Sequence, residues 1–423
     1  MALLFKMAEY WGRIRQVKAR MEEHGVDVLL ISDPSNINYL SGYDAYSFYV
    51  VQALIVSQEE DQPIWVGREE DAGGARLTTW LDDDHIYSYP DHYLHSTSKH
   101  PIDFISDLFV QRNQDQRRIG LEMGSYYLSA LDYEQLRKGL PDATVINTTT
   151  LVGHVRLIKS DQELHYMRNA AANAEHAMAT GIASIQQGVS ENKVVADVYH
   201  AQIDGAEGIG GDYPSIVPFL LSGVKTSSPH LTWDDVLFKG DELVTLELAG
   251  VYQRYHSPLA RTIKLGAFTA KEKRLADAVY EGINETLAAV KPGKTSEEVA
   301  NVWSDTIRQH GFEKNERLGY SVGLSYPPNW SENTANIRQG DQTILQPNMT
   351  FHLIPALWDE DCGVEISETF VVTENGCETL ANYPREPMVK QDMETTSQGG
   401  TPLMEGVVDC QWNTAEQNEV KRG

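Results

Sequence analysis

The chain has 423 residues, 41% of them hydrophobic, which is enough for two domains with cores of their own. Its 61 acidic residues against 35 basic ones give a formal net charge of -26. So anionic a surface repels phosphate backbones and acidic lipid headgroups, which excludes nucleic acid and membrane surfaces as partners.

Three cysteines occur, Cys362, Cys377 and Cys410. They have neither the paired spacing of a zinc knuckle nor the density of a secreted scaffold, so a reducing, cytoplasmic setting is expected. The opening MALLFKMAEYWGRIRQ has too short an apolar run for a secretory signal, and no stretch reaches the length of a bilayer span.

In chain order, Ile14, Val17 and Met21 recur at helical spacing and predict a helix over about Tyr10 to His24. Gly25 ends it before the strand VDVLLIS. The strand-like runs YVVQALIVS, QPIWVG, RRIGLEM and ATVINTT then alternate with helical text such as Pro101 to Gln111. Residues 1–159 therefore read as one α/β domain.

Ser160 opens SDQE, a capping box with Glu163, and a long helix to about Gln187 begins a second domain over residues 160–388. Inside it, IQQGVSENKVVADV and VKPGKTSEEVANVW share a Gly, then Ser or Thr, then an apolar helix, which predicts two pseudo-symmetric α+β halves. Three segments, ELVTLELAG, YHSPLARTIKL and VEISETFVVTENG, read as paired antiparallel strands forming the floor of a site. Residues 389–423 are polar and Gly-rich without period and read as a flexible tail.

The hairpin text GDELVTLELAGVYQRYHSPLARTIKLG, together with RLGYSVGLSYP, LQPNMTFHLIPALW, VEISETFVVTENG and the N-terminal PSNINYLSGY, resembles the pita-bread family of aminopeptidase P, prolidase and creatinase. That resemblance covers most of residues 1–388. It implies a creatinase-like N-terminal domain followed by a pita-bread catalytic domain. In the peptidases two Asp, one His and two Glu hold a pair of metal ions. Onto those places the alignment puts Glu247, Pro258, Tyr320, Ile354 and Ser367. Pro, Ile and Ser cannot replace carboxylate and imidazole ligands, so no metal and no cofactor are expected.

The resemblance also places His230, in SGVKTSSPHL, where the family carries a catalytic His. Creatinase's carboxylate-binding Arg corresponds to Val50 in SFYVV, while Phe48 is kept. Within the family the chain is similar to the ectoine hydrolase branch in ELAG, RYHSPLART, GLSYPP and EISETFVVTE. This implies a small cyclic amidine substrate, ectoine or its hydroxylated form, opened to N-acetyl-2,4-diaminobutyrate. It further implies a homodimer with Phe48 contributing across the interface. Creatinase-like guanidine hydrolysis, a sulfonium lyase and a non-catalytic peptidase-like binding module are the rival readings.

A cationic amidine requires anions and a proton carrier. Glu247 and Glu365 are the expected carboxylates, acting as base, nucleophile or anchor. His230 is the expected proton carrier, because imidazole is the side chain suited to moving protons near neutral pH. Residues two apart on a strand share a face, so Glu365 is expected beside Ser367, and His352 beside Ile354. His256, Tyr320 and His352 are candidate substrate contacts, with Trp358 and Phe48 as aromatic walls. Arg261 reads as structural, and Glu368 as solvated or paired to a neighbouring strand.

Overall fold

A computed structural model describes residues 3–390. The first helix runs Met7–Glu23, and Gly25 follows it at φ +66, a backbone setting that a side chain would strain. Six strands form a mixed sheet in the order Ile86–Tyr89, Ile64–Arg68, Ala53–Ser57, Val28–Ile31, Arg118–Leu121, Thr144–Asn147. Alternation splits these strands between two apolar layers. Leu29, Ile31, Leu54, Val56 and Trp65 face the first helix, while Leu30, Ile55, Ile64 and Val66 face the helix Pro101–Gln111.

The capping box at Ser160 forms as expected. Its hydroxyl accepts from the Glu163 N–H, and Glu163 accepts from the Ser160 N–H. The helix it starts, Asp161–Ser184, packs with Glu191–Asp204 against a sheet ordered Met388–Lys390, Tyr255–Leu265, Leu243–Tyr252, Phe219–Ser222. Gly250 permits that packing, because a Cβ there would lie 2.0 Å from the Ala170 carbonyl oxygen.

The second half repeats the scheme. Helices Ala270–Ala289 and Ser296–Gln309, each opened by a Thr capping box, cover a sheet ordered Ser331–Ile337, Gly319–Val322, Thr350–Leu353, Glu368–Val372, Cys377–Thr379. The two halves meet where Glu368–Val372 and Thr350–Leu353 approach Tyr255–Leu265, and the candidate site lies between them.

Two expectations need correction. The VEISETF segment does not continue the central hairpin's sheet. Gly363–Glu365 pairs with Ala356–Trp358, whereas Glu368–Val372 pairs with Thr350–Leu353. The intervening Ser367 N–H donates to Ala260 O at 3.0 Å, and Thr369 Oγ1 to Pro258 O at 2.8 Å, so the segment is stitched to the hairpin without joining its ladder. The second domain also extends beyond 388, because Met388–Lys390 pairs in parallel with Ile263–Leu265. Lys390 Nζ donates to the carbonyls of Ile182, Ala183 and Ile185, closing the end of the long helix. The rest of the tail, 391–423, lies outside the described residues.

Arg261 has the structural part expected of it. It donates to Glu368 at 2.6 Å, Ser367 O at 2.7 Å and Tyr383 O at 2.8 Å, with its side chain 1% exposed. Glu368 is thus paired rather than solvated. Arg254 performs a similar task between domains, reaching Asp44 and Asp212 at 3.0 Å each while lying over the Tyr213 ring.

Candidate active site

Between the halves lies a cavity of about 230 Å³. That is below the roughly 300–1,000 Å³ of drug-sized ligand pockets and suits a compact single-ring solute. Glu247, Glu365, Tyr320, Trp358 and His230 all line it, as do Lys314, Glu316, Arg317, Asn329 and Trp330.

Glu247 sits in the middle of the strand Leu243–Tyr252, opposite Ala260 on the next strand and Phe219 on the other side. That position leaves only the cavity face for a charged side chain. Glu365 ends the short strand Gly363–Glu365, where Thr262 Oγ1 accepts its N–H at 2.9 Å and donates to its carbonyl at 2.9 Å. Both carboxyls are buried, and Glu365 Oε1 has no protein hydrogen-bond partner. Burial pushes Glu247 well above the usual carboxylate range, and the charge of Glu365 raises it further. Burial lifts Glu365 to about 7, opposed by the Lys314 ammonium. Two buried acids that influence each other titrate as a pair, which near neutral pH holds a proton it can give or take.

Tyr320 forms part of the wall, and its hydroxyl is fixed from behind. Trp330 Nε1 donates to it at 2.8 Å, and His352 Nδ1 lies 3.0 Å away. His352 Nε2 is in turn 2.8 Å from Ser367 Oγ. Burial holds His352 neutral, with its pKa down at about 3, and keeps the Tyr320 phenol from ionising. His352 is therefore not a substrate contact, as strand alternation suggested. It stands behind the pocket and positions Tyr320.

His256 is also displaced from its expected role. It is fully buried, accepts the Ser215 N–H through Nε2 at 3.0 Å, and has Nδ1 2.9 Å from Arg254 O. With both ring nitrogens committed, it anchors the loop that carries Ile216 to the cavity wall. Phe48 does not line its own chain's cavity. It packs at the domain seam against Tyr46, Tyr127 and Tyr326. Glu365 and Ser367 straddle the change of sheet, and Ser367 bonds His352 instead of facing the cavity with Glu365.

His230 stands at the exposed rim, just beyond the turn Gly223–Ser227, with its ring 5.9 Å from that of Phe219. Lys314 and Arg317 escaped the sequence reading, since they lie in a loop with no periodicity. Lys314 Nζ is 3.6 Å from the centroid of the Trp358 ring and donates to Ala356 O at 2.7 Å. Burial lowers its pKa to about 8, against the pull of Glu316 and Glu365. Arg317 places its guanidinium 4.6 Å from the Tyr320 ring centroid.

The donor set does not suit a pair of divalent ions. Of the positions aligned with metal ligands, Glu247 alone offers a carboxylate, and the nearby His352 spends both nitrogens on Tyr320 and Ser367. Among the described residues, the His, Cys, Asp or Glu side chains that converge closely enough for an ion are Asp82, Asp84 and His85, on the N-terminal domain and away from this cavity.

Residues 165–374 match the model of metallopeptidase family M24, and residues 13–158 match the creatinase/prolidase N-terminal domain. The chain is 43% identical to a protein named ectoine hydrolase from Halomonas elongata, over 92% of this chain and 99% of that one. It is 41% identical to the uncharacterised hydrolase/peptidase y4tM of Sinorhizobium fredii, over 92% and 99% respectively. The prolidase of Pyrococcus horikoshii superposes with a TM-score of 0.75 at 23% identity, over 89% of this chain and all of that one.

Proposed function

The chain belongs to the M24 family, and within it we propose a hydrolase that opens the cyclic amidine ring of ectoine to N-acetyl-2,4-diaminobutyrate without a metal ion. The observation that carries this reading is the pair of buried carboxyls, Glu247 and Glu365, on the floor of a cavity sized for one small ring. Kinship with the Halomonas elongata ectoine hydrolase over nearly the whole of both chains supports it.

A buried anion needs a cation, and an amidinium supplies one with N–H groups for charge-assisted hydrogen bonds to carboxylate. Such pairing also keeps the ring protonated, which leaves its central carbon open to attack. Water adds to that carbon as a pocket carboxylate takes one of its protons. The tetrahedral intermediate then collapses, one carbon–nitrogen bond breaks, and a proton returns to the departing nitrogen. His230 at the rim serves this proton transfer, while Tyr320, held by Trp330 and His352, orients the reacting group. Atoms balance with one water consumed and no oxidant or reductant.

We also take the active form to be a cytoplasmic homodimer, with the hydroxylated ring as the second candidate substrate. Among the described residues, no helix is long and apolar enough to cross a membrane. The test is incubation with ectoine, with creatine and with a dipeptide ending in Pro, followed by NMR. Appearance of the ring-opened N-acetyl product from ectoine alone is the expected result. Cleavage of the dipeptide, or no turnover of ectoine, would refute the proposal.

A further inference from the structure

We infer that Lys314 and Arg317 form a carboxylate-selecting wall, so that the enzyme discriminates in favour of amidine rings bearing an anionic substituent and against the same ring without one. The inference rests on the amidine reading above and extends it from the reacting group to the rest of the substrate.

The cavity is electrically divided. Its acids Glu247 and Glu365 lie deep, 5% and 3% exposed, whereas Lys314 and Arg317 come from one loop above Trp358 and Tyr320. Neither cation forms an ion pair with any carboxylate among the described residues, although Glu316 shares their loop and Glu365 faces the same space. The fully buried cations are paired, as Arg261 is with Glu368 and Lys159 with Glu332.

Lys314 is held ready for a ligand. Its ammonium rests on the indole of Trp358 and commits one N–H to Ala356 O, leaving two donors free. Arg317 spends one N–H on Asn336 Oδ1 at 3.3 Å and retains the rest of its donor fork. A ring whose amidinium lies on the acidic floor therefore presents a substituent on the carbon next to an amidine nitrogen to two unpaired cations at the wall. A carboxylate there gains charge-assisted hydrogen bonds. A ring lacking it brings a bare cation against two others.

The experiment compares ectoine with 2-methyltetrahydropyrimidine, the same ring without the carboxylate, on the wild type and on Arg317→Gln, Lys314→Met and Lys314→Arg. Losing one charge-assisted contact should raise KM for ectoine roughly 10- to 100-fold, with the change carried by KM rather than kcat. KM for the carboxylate-free ring should fall in the two charge-removing variants, because a repulsion is relieved. Lys314→Arg should recover most of the ectoine affinity lost in Lys314→Met. Arg317 is exposed, so its variant tests the idea without disturbing the core. If the wild type opens ectoine and the charge-removing variants shift both rings alike, or leave ectoine KM unmoved, the carboxylate assignment is overturned and the functional reading stands. If the wild type opens neither ring, the functional reading itself fails.

Discussion

Replacing Glu365 by Gln should abolish turnover while making the protein more stable above neutral pH. Burial raises the folded-state pKa of this carboxyl from 4.5 to about 7. Between those values the folded chain holds more protons at this site than the unfolded chain, so stability falls as pH rises. The contribution of the neutral acid is fully present below about 4.5 and is lost as pH climbs through about 7. At about 1.4 kcal/mol per pKa unit, ionising Glu365 in place costs on the order of 3 kcal/mol at pH 8. Gln keeps the shape and cannot ionise. Its amide offsets part of the gain, about 1 kcal/mol, because Glu365 Oε1 has no protein partner to offer a replacement group. A net stabilisation of about 2 kcal/mol remains, which for a chain of this length raises the melting temperature by about 2 °C. Scanning calorimetry at pH 5 and pH 8, alongside turnover of ectoine, measures it. A variant less stable than wild type at pH 8, or one equally stabilised at both pH values, would refute the reasoning.

His230→Ala should lower kcat by about 10²- to 10⁴-fold with little change in KM, as steady-state kinetics on ectoine would show, because proton transfer fails while the floor still binds the ring. The purified enzyme should hold no stoichiometric divalent metal and keep its activity in excess chelator; two ions per chain by elemental analysis, lost together with activity, would contradict the donor set described above. Arg261→Met should cost about 3–5 kcal/mol in urea unfolding, since it leaves Glu368 charged and buried without its partner, and Arg261→Met combined with Glu368→Leu should recover much of that loss.

The local signals in the sequence served the fold well. SDQE began a helix where its two reciprocal hydrogen bonds required one, and the two Gly-then-Ser/Thr repeats became the matching helices Glu191–Asp204 and Ser296–Gln309. The strand Ile86–Tyr89 was missed because IYSY is short and half polar, drawing its stability from parallel pairing with Trp65–Arg68. In the site, alternation identified the faces of the strands without revealing what each face meets. His352 and Tyr320 share a neighbourhood, yet one lines the cavity and the other supports it from behind. Glu365 and Ser367 were assigned to one face on the premise of an unbroken strand, and the chain changes sheets between them. Lys314 and Arg317 were illegible for a different reason: a loop has no period, and only the folded chain brings its charges over Trp358 and Tyr320.

The row of side chains from Trp330 through Tyr320 and His352 to Ser367 bears on how such a pocket evolves. Each member satisfies the next, so no position in the row can change alone. Placing a carboxylate at Ser367 would add a further buried acid to Glu247, Glu365 and Glu368, next to a neutral imidazole, and placing a His at Tyr320 would leave the Trp330 N–H and His352 without their shared hydroxyl. Substitutions in such a network are strongly non-additive. On the metal-independent reading proposed above, a pocket built on this row would return to metal binding only through several coordinated substitutions, so that single changes toward a metal site should cost stability before they gain a ligand.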